Sequence, residues 1–174
     1  MRMRPFLFAS LAILCFPFSA GAVTLNFEAS SFFPRAGDAL EIRFIVIPES
    51  SNINALEGEI QIPEGIEVRS IRYGSSIVPV WLEQPTSTGR GVSFAGIIPG
   101  GWQGREGARS RGEILTLVVA ARTPGEYAIS LASSTEVLLN DGLGARAMLE
   151  TKPIFLHIGG EGLGDEASTF IGPF

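Results

Sequence analysis

Polar and apolar residues alternate along most of this chain. Leu40, Ile42 and Phe44 are separated by Glu41 and Arg43; Leu56, Ile60 and Ile62 are interleaved with Glu57, Gly58, Glu59 and Gln61. Successive side chains of an extended strand point to opposite faces, so this spacing puts an apolar set on one face and charges on the other. The same period predicts strands over 24–29, 67–73, 77–83, 91–97, 126–133, 136–139, 145–149 and 154–158. The stretch 114–121 is apolar on both faces and is expected to lie centrally in a sheet. Between these segments fall Ala36-Gly37-Asp38, Pro63-Glu64-Gly65, Pro99-Gly100-Gly101, Pro124-Gly125 and Asn140-Asp141-Gly142. Each supplies a preset φ, a positive φ or a side chain that bonds its own backbone, which are the requirements of turns. No long window keeps a helical period without a Gly or Pro breaking it. The pattern predicts an all-β fold, an antiparallel two-sheet β-sandwich. Its core is expected to be lined by Leu40, Ile42, Phe44, Leu56, Ile60, Ile62, Leu115, Leu117, Val119, Tyr127, Ile129 and Leu131. Over 159–174 the alternation is lost, and a tail or linker is expected.

The beginning of the chain has another character. Arg2 and Arg4 precede an apolar run from Phe6 to Phe18, broken only by Ser10 and Pro17, and the run ends at Ala20-Gly21-Ala22. A positive start, a short apolar stretch and a small-x-small exit describe a signal peptide over 1–22. The run is too short to cross ~30 Å of hydrocarbon comfortably. The reading therefore places a β-sandwich domain over 23–158 in a secreted, extracellular or cell-surface/periplasmic setting. Cys15, the one cysteine, lies in the leader behind Leu14, where a lipidation site needs a small residue. Without a disulfide the domain must be held by its core, which is feasible at roughly 150 residues.

Composition excludes more than it names. In 174 residues, 45% hydrophobic content is too much for a disordered chain, and 21 Gly with 11 Pro suit many turns. A net charge of −5 argues against nucleic acid, whose affinity comes from neutralising phosphates. His157 is the only histidine, no G-x-S-x-G elbow is present, and no His/Cys/acid cluster has metal-ligand spacing. Glu57 and Glu59 sit on one face of one strand, whereas a glycosidase needs two opposed carboxylates across a cleft. No enzyme activity, cofactor or metal is expected. Trp81 and Trp102 remain open to two readings: core packing, or a ring exposed for a ligand.

The order of several motifs resembles the cohesin family, within the wider superfamily of carbohydrate-binding domains. The carrying residues are Gly37-Asp38, Leu56-Glu57-Gly58-Glu59-Ile60 and Pro63-Glu64-Gly65-Ile66-Glu67-Val68. Val92-Ser93-Phe94-Ala95-Gly96 with Ile98-Pro99-Gly100-Gly101 come next, then Gly112-Glu113-Ile114-Leu115-Thr116-Leu117 and Val137-Leu138-Leu139-Asn140-Asp141-Gly142. The resemblance implies a jelly-roll-like sandwich of about nine strands and a non-catalytic role. It further implies that one flat sheet face, made by the third, fifth, sixth and eighth strands, docks a dockerin, a small calcium-binding module of another protein. Along this chain those strands are 53–62, 77–83, 91–97 and 126–133. Glu57, Glu59 and Gln61 would face outward there, and Trp81 with Glu83, sharing one parity, would add an aromatic anchor among acids. The implied role is docking of such a module, or of another surface protein, for adhesion or assembly of extracellular, polysaccharide-degrading complexes. The alternative is direct carbohydrate binding, with Trp81, Trp102 and Tyr73 as a stacking platform and a polysaccharide as partner. A third reading is an envelope protein without a specific ligand.

Overall fold

The computed structural model describes residues 21–104 and 110–160, and each expected strand has a counterpart in it. In chain order these are β1 (Ala22–Ala29), β2 (Leu40–Ile47), β3 (Ile53–Gln61), β4 (Ile66–Arg72) and β5 (Val80–Ser87). They continue as β6 (Gly91–Trp102), β7 (Gly112–Ala121), β8 (Gly125–Leu131), β9 (Glu136–Leu139), β10 (Met148–Thr151) and β11 (Ile154–Ile158). The leader up to residue 20 and the tail from residue 161 lie outside the described residues. Two sheets form, ordered β10-β1-β2-β7-β4 and β11-β8-β3-β6-β5, with β9 pairing β3 beside β8. All pairings are antiparallel except β1 with β10.

The core is the slab between the sheets, filled by the apolar face of each alternating strand. Leu40, Ile42, Phe44, Leu56, Ile60, Leu115, Leu117, Val119 and Ile129 are buried, while Ile62, Tyr127 and Leu131 are half-buried and pack against them. Phe44 of the first sheet meets Phe94 of the second at 5.6 Å between ring centroids, tying the two layers together. Opposite Phe44 and Ile45 the register skips Ile114, an extra residue in β7 that lets Ile114 and Leu115 both join the core; on β2, Val46 keeps the core parity of Phe44, and Ile45 is buried as well. Tyr127 keeps its polar end at the rim, where its hydroxyl donates to the Thr123 carbonyl at 2.9 Å.

Four local expectations are corrected. Pro99-Gly100-Gly101 is not a turn between strands but lies within β6. There the register jumps from Ile53 opposite Trp102 to Ala55 opposite Ile97, and Gly100 and Gly101 take φ of 83° and 79°. The turn-forming chemistry is used to bulge a long strand, so Trp102 ends a strand rather than sitting in a loop. Second, β5 starts three residues later than expected and runs through Pro85. An edge strand tolerates that proline because its missing N–H faces no neighbour. Third, the segment expected as one strand over 145–149 serves both sheets. Ala147 N donates to Val137 O at 2.8 Å, turning 140–144 into a hairpin loop, and β10 then pairs parallel to β1. Such crossing divides the last part of the chain into short pieces, giving eleven strands instead of about nine. Last, Gly159 belongs to a ladder, not to the tail, since its amide donates to Pro34 O at 2.9 Å.

Candidate partner-binding face

Strands β8, β3, β6 and β5 lie side by side in that order. With Leu56 and Ile60 committed to the core, the pleat turns Glu57, Glu59 and Gln61 to the opposite, outer face. Ser93, Ala95 and Ile97 of β6 face outward by the same rule, being register partners of Glu59, Glu57 and Ala55. Hydroxyls hold several of these groups in place. Thr88 Oγ1 donates to Glu59 Oε1 at 3.1 Å, Ser130 Oγ to Gln61 Oε1 at 3.1 Å, and Ser93 Oγ to Glu83 Oε1 at 2.6 Å. Glu83 therefore joins Glu57, Glu59 and Gln61 on one surface.

Trp81 does not join them. Its register partner is Gly96, a core-facing position of β6, and a Cβ on Gly96 would come within 3.1 Å of Trp81 Cε3. A glycine at Gly96 leaves the space the indole uses. A bulge between Trp81 and Glu83 separates their parity: the indole goes to the core side while Leu82 and Glu83 go outward. The shared parity expected for Trp81 and Glu83 is thus corrected by one extra residue in an edge strand. Trp81 is half-buried and meets Tyr73 edge-on, with centroids 5.6 Å apart and planes at 70°. Trp102 points the same way as its buried partner Ile53 and packs near Ile77. The three rings named as a stacking platform are all half-buried against the core.

What occupies the anchor position instead is aliphatic. Leu82, 72% exposed, and Val80 stand on β5, next to Ala95 and Ile97 of β6, Ala55 of β3 and Leu138 of β9. Leu82, Ala95, Ile97, Ala55 and Leu138 line a depression of about 240 Å³ that also takes in Glu57 and Glu136. Sequence reading missed Leu82 because strict alternation over 80–83 assigns it to the core, and nothing local announces the bulge.

The two outer surfaces differ in charge. On the first sheet, Glu28, Glu41 and Glu67 each meet an arginine: Arg111, Arg72 and Arg122. On the second, only Glu136 is so paired, with Arg146 at 2.9 Å, while Glu57, Glu59 and Glu83 make no salt bridge among the described residues. No cluster of His, Cys, Asp or Glu with metal-binding geometry occurs among the described residues. Nor does any helix there have the length and apolarity to cross a membrane.

No protein-family model matches the chain, and no curated protein sequence does. Solved structures do. A non-cellulosomal cohesin from the archaeon Archaeoglobus fulgidus superposes with a TM-score of 0.59 at 14% identity, over 79% of this chain and 91% of that one. The cohesin of a type I cohesin–dockerin complex from Clostridium thermocellum gives 0.58 at 15% identity, over 80% and 93%. The third ScaB cohesin of R. flavefaciens, solved with a group 1 dockerin, gives 0.55 at 18% identity, over 82% and 99%. At these identities the likeness is one of fold, and it spans both sheets rather than a motif. The described chain is a cohesin-like β-sandwich.

Proposed function

We propose that this protein is an exported, non-catalytic interaction module that docks a dockerin-type partner on the outer face of β8-β3-β6-β5. The observation that carries the reading is the aliphatic depression around Leu82, set in the outer sheet face beside Glu57 and Glu136. An exposed apolar patch with a polar rim is the usual anatomy of a protein-binding surface. The acids favour a partner with a basic rim, where charge speeds encounter and the buried aliphatic contact holds the complex. Cohesins of the same fold are solved in complex with dockerins, which supports this partner class. Docking of this kind would serve adhesion or the assembly of extracellular complexes. The expected result of calorimetric titration with a panel of type I and group 1 dockerins in calcium is a Kd of about 1 μM or tighter. Chelation should abolish it, because the partner's fold depends on the ion. Leu82→Asp should weaken it by roughly a hundredfold or more, as loss of a central anchor does. Absence of binding across the panel, or binding indifferent to Leu82→Asp, would overturn the reading.

A further inference from the structure

The outer face of the second sheet extends beyond β8 to a separate feature. Residues 31–35 run beside β11 as a strap. His157 N donates to Phe32 O at 3.1 Å, Gly159 N to Pro34 O at 2.9 Å and Ala36 N to Gly159 O at 3.1 Å. Arg35 bridges Gly159 in parallel register. Pro34 is buried, so alternation along the strap turns Phe33 and Arg35 to the side on which β11 shows His157. Phe33 is 78% exposed, yet it is held in place. Its ring stacks on the His157 imidazole, with centroids 5.7 Å apart and planes at 20°, and its amide donates to Ser31 Oγ at 3.2 Å. Glu126 of β8 lies beside the imidazole, 3.1 Å from Nδ1.

Between Phe33, Arg35 and Glu126 opens a groove of about 530 Å³, where Gly125, Gly159 and Gly160 contribute backbone but no side chain. Its chemistry is mixed in a particular way. One wall is an aromatic ring, and beside it stand a guanidinium with five donors and a carboxylate with two acceptor oxygens. Arg35 makes no salt bridge among the described residues, so its donors are available. A purely aliphatic ligand would cover these polar groups without bonding them, which is costly. A purely ionic ligand would have no use for the ring. A pyranose satisfies both, because its axial C–H groups form an apolar face and its hydroxyls both donate and accept. The strap is fixed by backbone bonds before any ligand arrives, so little ordering remains to be done on binding.

We propose that this groove binds a pyranose unit of a polysaccharide, with the C–H face of the sugar on Phe33 and its hydroxyls shared between Glu126 and Arg35. The proposal does not rest on the docking reading: the depression around Leu82 is lined from β3, β5, β6 and β9, whereas this groove lies at the β8–β11 end of the same sheet. The test is a titration of the isotope-labelled protein with cellohexaose, xylohexaose and trigalacturonate, each to about 1 mM, followed by amide shifts. At least one of the three should shift Phe33, Arg35 and Gly159 in a saturable way. Phe33→Ala should then weaken binding by roughly tenfold or more with the melting temperature unchanged, since the ring is exposed. Glu126→Gln, which keeps the shape, should weaken it as well and decides the matter if Phe33→Ala alters folding. No shifts with any of the three sugars, shifts confined to the β5–β6 surface, or unchanged affinity in the deciding variant would overturn the proposal.

Discussion

At the scale of single residues, two side chains show how position overrides type. Trp81 has the size and chemistry of an interface anchor, but the bulge beside it and the bare Cα of Gly96 draw the indole toward the core. Trp81→Ala should therefore destabilise the fold by about 2 kcal/mol, short of the full cost of a wholly buried ring, and leave dockerin affinity unchanged. Urea unfolding of the variant alongside the titration separates the two roles. Asp141 shows the opposite case, an exposed residue with a fixed task. Leu143 N and Gly144 N each donate to its Oδ1 at 2.8 Å, closing the loop that joins β9 to β10. Foremost the Leu143 amide, with those of Ala145 and Gly144, holds the Asp141 carboxyl below the usual aspartate range. Because the folded value lies below the unfolded one, the stabilisation is present above about pH 3.9 and is lost as pH falls through the folded value. An NMR titration of the Asp141 carboxyl should show the low midpoint, and Asp141→Ala should speed hydrogen exchange at Leu143 and Gly144.

At the scale of elements, pairing rather than propensity decides where strands end. The β6 strand carries Pro99-Gly100-Gly101 inside its span because the partner, β3, resumes pairing at Ile53 opposite Trp102. A proline followed by two glycines reads locally as a stop, and only the far partner reveals that the chain bulges and continues. Gly101 is the sensitive point. It sits at φ +79°, and a Cβ there would stand 2.3 Å from Asn52 Oδ1. Gly101→Ala is expected to cost about 1–3 kcal/mol, combining left-handed strain with the displacement of Asn52. A midpoint shift in chemical denaturation with an unchanged m-value would match this expectation. Gly100 shares the positive φ, but a Cβ there would have nothing within 4 Å, so it should be the milder site.

At the scale of the whole molecule, one slab of apolar side chains holds two sheets together without a disulfide. Leu117 lies at its centre, fully buried, and Leu117→Ala should cost about 2–5 kcal/mol in denaturant unfolding. Alternation was enough to predict that slab. Leu40, Ile42 and Phe44 bury on β2, Leu56 and Ile60 on β3, and their polar neighbours face out, because a pleated strand offers only two faces and water selects between them. The polar half of the candidate surface, Glu57, Glu59 and Gln61, was legible for the same reason. The anchor was not. Leu82 in place of Trp81, the bulge within β6 and the exchange of sheets after β9 all depend on which distant strand lies alongside. One added residue in a ladder reverses every side chain beyond it, and no local pattern records the addition. The groove beside β11 was equally hidden, since it needs Phe33, Glu126 and His157 from three separate stretches of chain. The sequence by itself determined which residues leave water, through their period. Only the tertiary structure decided which of the remaining ones stand together, because that is set by register between strands far apart in the chain.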